Sequence, residues 1–136
     1  MNRRDVALLI LHRDDGHILM QHRTEDAPLW PGYWGLFGGG IEENESPEEA
    51  IEREIQEELH YHLPDMKLFL VMDIDKPDYV GTRYIFIAPY DNKTPLERGE
   101  GQSMGWFGID QVLNLKLSSY NRRTIELYRN HITKLI

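Results

Sequence analysis

One stretch constrains this chain more than any other: Gly38-Gly39-Gly40, followed by Ile41 to Leu59. Three glycines in a row predict a flexible turn, and the residues after them predict a helix. Ser46 suits the N-cap, Pro47 the first helical position, and Glu49 completes a Ser-x-x-Glu capping box. Glu48 and Glu49 suit the positive end of the helix dipole. Ile51, Ile55 and Leu59 recur every fourth residue and define one buried stripe. The second half of this helix is in conflict with itself. Glu54 precedes Glu57 by three residues and Glu58 by four, so like charges share a face. Glu57 and Glu58 also stand at the end of the helix that prefers cations. No basic partner is evident nearby. A bound divalent cation resolves the conflict, and carboxylates without cysteine or a paired histidine suit a hard ion such as magnesium. The competing reading is an ordinary solvated acidic helix.

The spacing is Gly39, five residues, Glu45, seven residues, then Arg53-Glu54-Ile55-Gln56-Glu57-Glu58. It resembles the Nudix box of the Nudix hydrolases at every charged position. His60 stands where that signature has a glycine, Tyr61 replaces its closing aliphatic residue, and Phe37 replaces the proline common before the glycines. The first change bears on how the helix ends; none removes a charged group.

The resemblance implies an α+β chain with the Nudix fold, a mixed β-sheet in an α/β/α sandwich, over nearly the whole length. It implies magnesium or manganese held by the Gly38 carbonyl and by Glu54, Glu57, Glu58 and Glu100, with Arg53, Glu54, Glu57 and Glu100 in catalytic roles. Arg53 resembles the arginine that orients the box glutamates; a solvated helix charge is the alternative. Glu100, between Gly99 and Gly101, resembles a loop glutamate of MutT-type enzymes that binds metal or helps activate water. Arg23 falls where relatives place a phosphate-contacting arginine, although a strand-end charge reads equally well. Asn121 falls where MutT-type enzymes read an oxidised guanine, although asparagine at a helix start is commonly a cap.

At 136 residues the chain is expected to be a single domain, residues 1–136, with room for a real core. It has 40% hydrophobic and 28% charged residues, as a soluble globular protein does. There are no cysteines, which excludes disulfides and thiolate chemistry and agrees with a reducing cytoplasm. A net charge of -8 disfavours long nucleic acid as a partner. No apolar run is long enough for a membrane span, and no signal peptide is evident.

In chain order, strands are expected over Asp5–Arg13 and His17–His22, joined as a hairpin through Asp14-Asp15-Gly16. Further strands are expected over Tyr33–Phe37, Lys67–Ile74, Thr82–Ala88 and Met104–Ile109. Asp110 is the expected cap of a brief helical turn. Ser118 or Ser119 is expected to cap a last helix with Ile125, Leu127, Tyr128, Ile132 and Leu135 apolar. Trp30, Tyr33 and Trp34 are candidates to stack on a base, with at least one expected in the core. The six histidines show no metal-binding pair.

The expected function is metal-dependent hydrolysis of a phosphoanhydride in a nucleoside diphosphate linked to another group. A nucleoside triphosphate, oxidised or not, is the leading substrate, giving monophosphate and pyrophosphate. A nucleotide sugar and a non-catalytic nucleotide-binding module are the alternatives. The partner is thus a small nucleotide, and the protein a monomer or homodimer.

Overall fold

The alternation of apolar residues in the first strand sets the architecture. The structure, a computed structural model, describes residues 3–28, 30–97 and 103–134. In β1 (Val6–His12), Ala7, Leu9 and Leu11 face one side while Ile10 faces the other, and all are buried. A strand buried on both faces must lie inside a sheet with cover on both sides. β1 does: it runs parallel to β6 (Tyr79–Pro89), from Val6 opposite Arg83 to His12 opposite Pro89. Its other edge pairs antiparallel with β4 (Phe37–Gly40) and, at His12, with β2 (Ile18–His22). β2 carries β3 (Trp34–Gly35) and β7 (Ser103–Phe107), and β5 (Lys67–Lys76) forms an antiparallel hairpin with β6. The sheet is therefore mixed, as expected.

On one face α1 (Pro47–Leu59) packs Ala50, Ile51, Ile55 and Leu59 against Leu9, Leu11, Phe37 and Phe86. On the other, α2 (Ile109–Val112) and α3 (Ser119–Thr133) pack Val112, Ile125 and Tyr128 against Ile10, Met20 and Ile85. No described helix is long and apolar enough to cross a membrane.

Several expectations need correction. Gly38–Gly40 is not a flexible turn: it is strand, paired with Val6–Leu8. The expected strand over Tyr33–Phe37 is two strands, because Leu36 leaves the pairing with β2 and Phe37 begins the pairing with β1. The expected turn over 75–78 is tighter, since β5 continues to Lys76 and only Pro77 and Asp78 connect it to β6. Gly108, not Asp110, is the N-cap of α2, and the Gln111 side chain accepts from its amide at 2.8 Å. Ser118 caps α3 by accepting from the Asn121 amide, so Asn121 is not itself the cap.

Candidate active site

The start of α1 is built as the sequence specifies. Ser46 accepts from the Glu49 amide at 3.1 Å and Glu49 accepts from the Ser46 amide at 2.8 Å, a closed capping box. The end is more unusual. His60, in place of the signature glycine, still takes the left-handed conformation, with φ 52 and ψ 41. Its amide donates to the Gln56 carbonyl, so the helix terminates as a glycine would end it, at some backbone strain. The His60 ring meets the Glu97 carboxylate, and the Glu97 amide donates to the Leu59 carbonyl. The loop leading toward residue 98 is thereby attached to the end of α1.

The acidic face has a basic partner, Arg53, which the charge pattern alone does not reveal and the resemblance casts as the arginine that orients the box glutamates. Arg53 donates from Nε and Nη2 to the two oxygens of Glu45, at 2.7 and 2.9 Å. Its Nη1 donates to Glu54 at 2.9 Å and its Nη2 to the Gly40 carbonyl at 3.0 Å. The fork holds the Glu45 carboxyl down at about 2 and raises the Arg53 pKa in turn. One guanidinium thus ties the glycine strand, the loop before α1 and Glu54 together.

Glu54 stands against Gly39: a Cβ there would lie 2.7 Å from the Glu54 carboxyl carbon. Glu58 accepts from the Gly38 amide at 3.0 Å. Burial first, then the charges of Glu54 and Glu57, push its carboxyl up to about 7 against the opposing Gly38 bond. Glu57 is on the flank, its side chain 60% exposed and 3.6 Å from Arg53. Among the described residues no three acidic, histidine or cysteine side chains close around one point. The donor chemistry nevertheless fits a hard cation: two carboxylates face adjacent glycines, and burial together with neighbouring negative charge raises the carboxyl of one of them, which a cation would offset. Glu100 lies outside the described residues.

Beside Gly38 and Gly39 a cavity opens toward the α3 side of the sheet. Arg23 and Asn121 both line it, as do Trp30, Tyr33 and Trp34. Trp34, on β3, is partly buried against the core on the α3 side and stacks on His22 with ring centres 4.5 Å apart. Sequence reasoning missed two further lining residues, Arg4 and Arg83. Arg83 was detectable as the one charge in the expected strand Thr82–Ala88, directly before the apolar run Tyr84-Ile85-Phe86-Ile87.

The NUDIX domain family model matches residues 1–128. The chain belongs to the NUDIX domain family. The expected Nudix fold and the expected class, a Nudix hydrolase, both hold, and the chain is an enzyme of that class. It is 29% identical over 128 residues to the nucleoside triphosphatase NudI of Escherichia coli, covering 86% of this chain and 91% of the relative. A MutT NUDIX hydrolase from Burkholderia pseudomallei superposes with a TM-score of 0.77 at 29% identity, covering 93% of this chain and 98% of that one. The MutT protein of Methanosarcina mazei shares the fold with a TM-score of 0.80 at 17% identity, over 96% of this chain and 97% of that one.

For this Nudix enzyme the Arg53 fork makes a direct prediction. Lysine offers one compact charge and cannot reach Glu45, Glu54 and the Gly40 carbonyl together. Arg53→Lys is expected to lose about 2 kcal/mol of stability in urea titrations. Turnover is expected to fall as well, because Glu54 is released. An unchanged midpoint with unchanged turnover would reduce Arg53 to a surface charge.

Proposed function

We propose that this protein hydrolyses a nucleoside triphosphate to the monophosphate and pyrophosphate with a divalent cation, magnesium or manganese. The observation that carries this reading is the juxtaposition of Glu54 and Glu58, on adjacent glycines, with a cavity lined by arginines. Similarity to the NudI nucleoside triphosphatase supports the substrate class.

In this reading Gly38 (through its carbonyl), Glu54, Glu57, Glu58 and, from the sequence, Glu100 hold the cation. When bound, the cation neutralises phosphate oxygens and makes bound water more acidic. The chain's own groups do the rest. Arg53 fixes Glu54, so that carboxylate needs little reorganisation when substrate arrives. Glu58 accepts from the Gly38 amide, which orients its carboxylate beside the glycines. Arg23 lies at the cavity wall next to Gly38 and within the field of Glu58, where a guanidinium attracts the phosphate chain. Water attacks one phosphorus of the α–β anhydride and the P–O bridge breaks; the product containing the attacked phosphorus takes the water oxygen, the other keeps the bridging oxygen, and the protons of the water leave to solvent.

The test is product analysis. Each nucleoside triphosphate is incubated with magnesium, with manganese and with a strong chelator, and pyrophosphate is distinguished from inorganic phosphate. Pyrophosphate release with either metal, abolished by chelator, is the expected result. Full turnover in chelator, or release of inorganic phosphate alone, would overturn the reading.

A further inference from the structure

The last turn of α1 ends on a strained residue. His60 holds the left-handed conformation, φ 52 and ψ 41, which glycine or asparagine adopts more easily. Its ring is more than half exposed, and so is the Glu97 carboxylate that Nδ1 meets. An exposed pair of this kind adds little to stability. His60 therefore strains the backbone while its side chain contributes little to holding the fold together. Strain kept without a gain in stability points to function.

What the His60 ring does is reach another segment. The chain that follows β6 is gripped at two places by the residues that close α1. At its start the Asp91 amide donates to the Tyr61 hydroxyl at 2.9 Å, and the Tyr61 and Tyr90 ring centres lie 5.6 Å apart. Tyr61 is itself buried in the core, which makes this anchor firm. Beyond it the Asp91 carboxylate accepts from the amides of Lys93 and Thr94, at 3.0 and 2.8 Å, and closes a tight turn. At the far end Leu96 packs on the α1 core, the Glu97 amide donates to the Leu59 carbonyl at 3.1 Å, and the Glu97 side chain meets His60. His60 and Tyr61, the two residues that replace the closing positions of the signature, thus hold the two ends of one segment.

Glu100 follows Glu97 by three residues. Three residues of chain span at most about 11 Å, so an anchored Glu97 keeps Glu100 near the end of α1 that carries Glu57 and Glu58. Leu96 fixes where the segment lies, and the bonds at Glu97 fix the direction in which the chain leaves it. Resting on the proposed function, we infer that His60 is a positioning residue. Through the Glu97 carboxylate it sets the path of the chain to Glu100, and so the placement of that glutamate in the site. Glycine at this position would end the helix with less strain and would have no side chain with which to hold Glu97.

His60→Gly separates positioning from capping. Its melting temperature is expected to stay level or rise, because glycine accepts the left-handed backbone. Its kcat for triphosphate hydrolysis with magnesium is expected to fall roughly tenfold or more with KM changed by no more than about twofold, as misplacement of a reacting group does. Glu97→Ala is expected to act alike, and the double variant to be no worse than either single one, since both remove the same contact. His60→Asn tolerates the same backbone and carries an amide nitrogen at the bonded distance from Cβ that Nδ1 has, so it is expected to restore most of kcat. Hydrogen exchange reads the grip without catalysis. The Glu97 amide is expected to exchange several-fold faster in His60→Gly and at close to the parent rate in His60→Asn. A normal kcat in His60→Gly, losses that add in the double variant, a His60→Asn variant as slow as His60→Gly, or Glu97 exchange unchanged by His60→Gly would overturn the inference. No hydrolysis by the parent would overturn the proposed function instead, and the grip of His60 on Glu97 would then stand or fall on the exchange rates alone.

Discussion

Replacing Glu58 with glutamine is expected to stabilise the metal-free protein at pH 8 while cutting turnover by orders of magnitude. Burial and the neighbouring charges of Glu54 and Glu57 hold the Glu58 carboxyl at about 7, against an ordinary value of 4.5. The folded state therefore binds the Glu58 proton more tightly than the unfolded chain does. Between those two pH values the folded state carries the extra proton, so stability falls as pH rises through this window and levels off above it. The difference amounts to about 3 kcal/mol of destabilisation by the ionised carboxylate. Glutamine keeps the acceptor for the Gly38 amide and removes the charge. In chelator, urea titrations from pH 4.5 to 8 are expected to show parent and variant converging at the acid end and separating at the alkaline end. Added magnesium is expected to narrow the gap by stabilising the parent alone. A parent whose stability is flat across this range, or a variant with normal turnover, would contradict the role given to Glu58.

The three consecutive glycines are expected to respond to alanine in three different ways. At Gly38 the backbone has φ +137, and a Cβ would lie 2.1 Å from the Ala7 carbonyl oxygen of the paired strand. Backbone in the middle of a sheet cannot withdraw, so Gly38→Ala is expected to cost roughly 3 kcal/mol or more and to lower the melting temperature by about 10 °C. At Gly39 the obstructing atoms are the Glu54 carboxylate, the mobile end of a side chain. Gly39→Ala is expected to fold with nearly normal stability and to lose most activity, since Glu54 must move off its Arg53 support. At Gly40 nothing lies within 4 Å, and Gly40→Ala is expected to be close to neutral in both respects. Melting curves and turnover on the three variants check the set. Equal effects at all three would mean that the glycines serve only chain flexibility.

That contrast also shows what the sequence made legible. The helix was readable in detail, because Ser46, Pro47, Glu49 and the Ile51-Ile55-Leu59 stripe are local signals, and the structure repeats each of them. The glycines were misread as a turn because their partner, Val6–Leu8, is far away in sequence, and strand pairing at such a distance leaves no local trace. The support of Glu54 was legible only through resemblance, which cast Arg53 as the arginine that orients the box glutamates; the return of Glu45 and Gly40 to its side, which makes it a fork, left no local trace. Arg83 and Asn121 are the extreme case, two side chains whose meeting depends on a helix packing across the sheet.

The parallel pairing of β1 with β6 has a bearing on how this protein is made. Val6 aligns with Arg83, and His12 with Pro89, so the central strand must wait for the sixth before the sheet can close. A nascent chain that has emerged only through α1 can form the first hairpin and its helix, but it still exposes one whole edge of β1 with its apolar side chains. Pairings of such sequence separation are slow and open to wrong partners. Ribosome-bound fragments ending before Tyr79 are expected to remain protease-sensitive and to engage chaperones, with protection appearing once the β6 segment has cleared the exit tunnel.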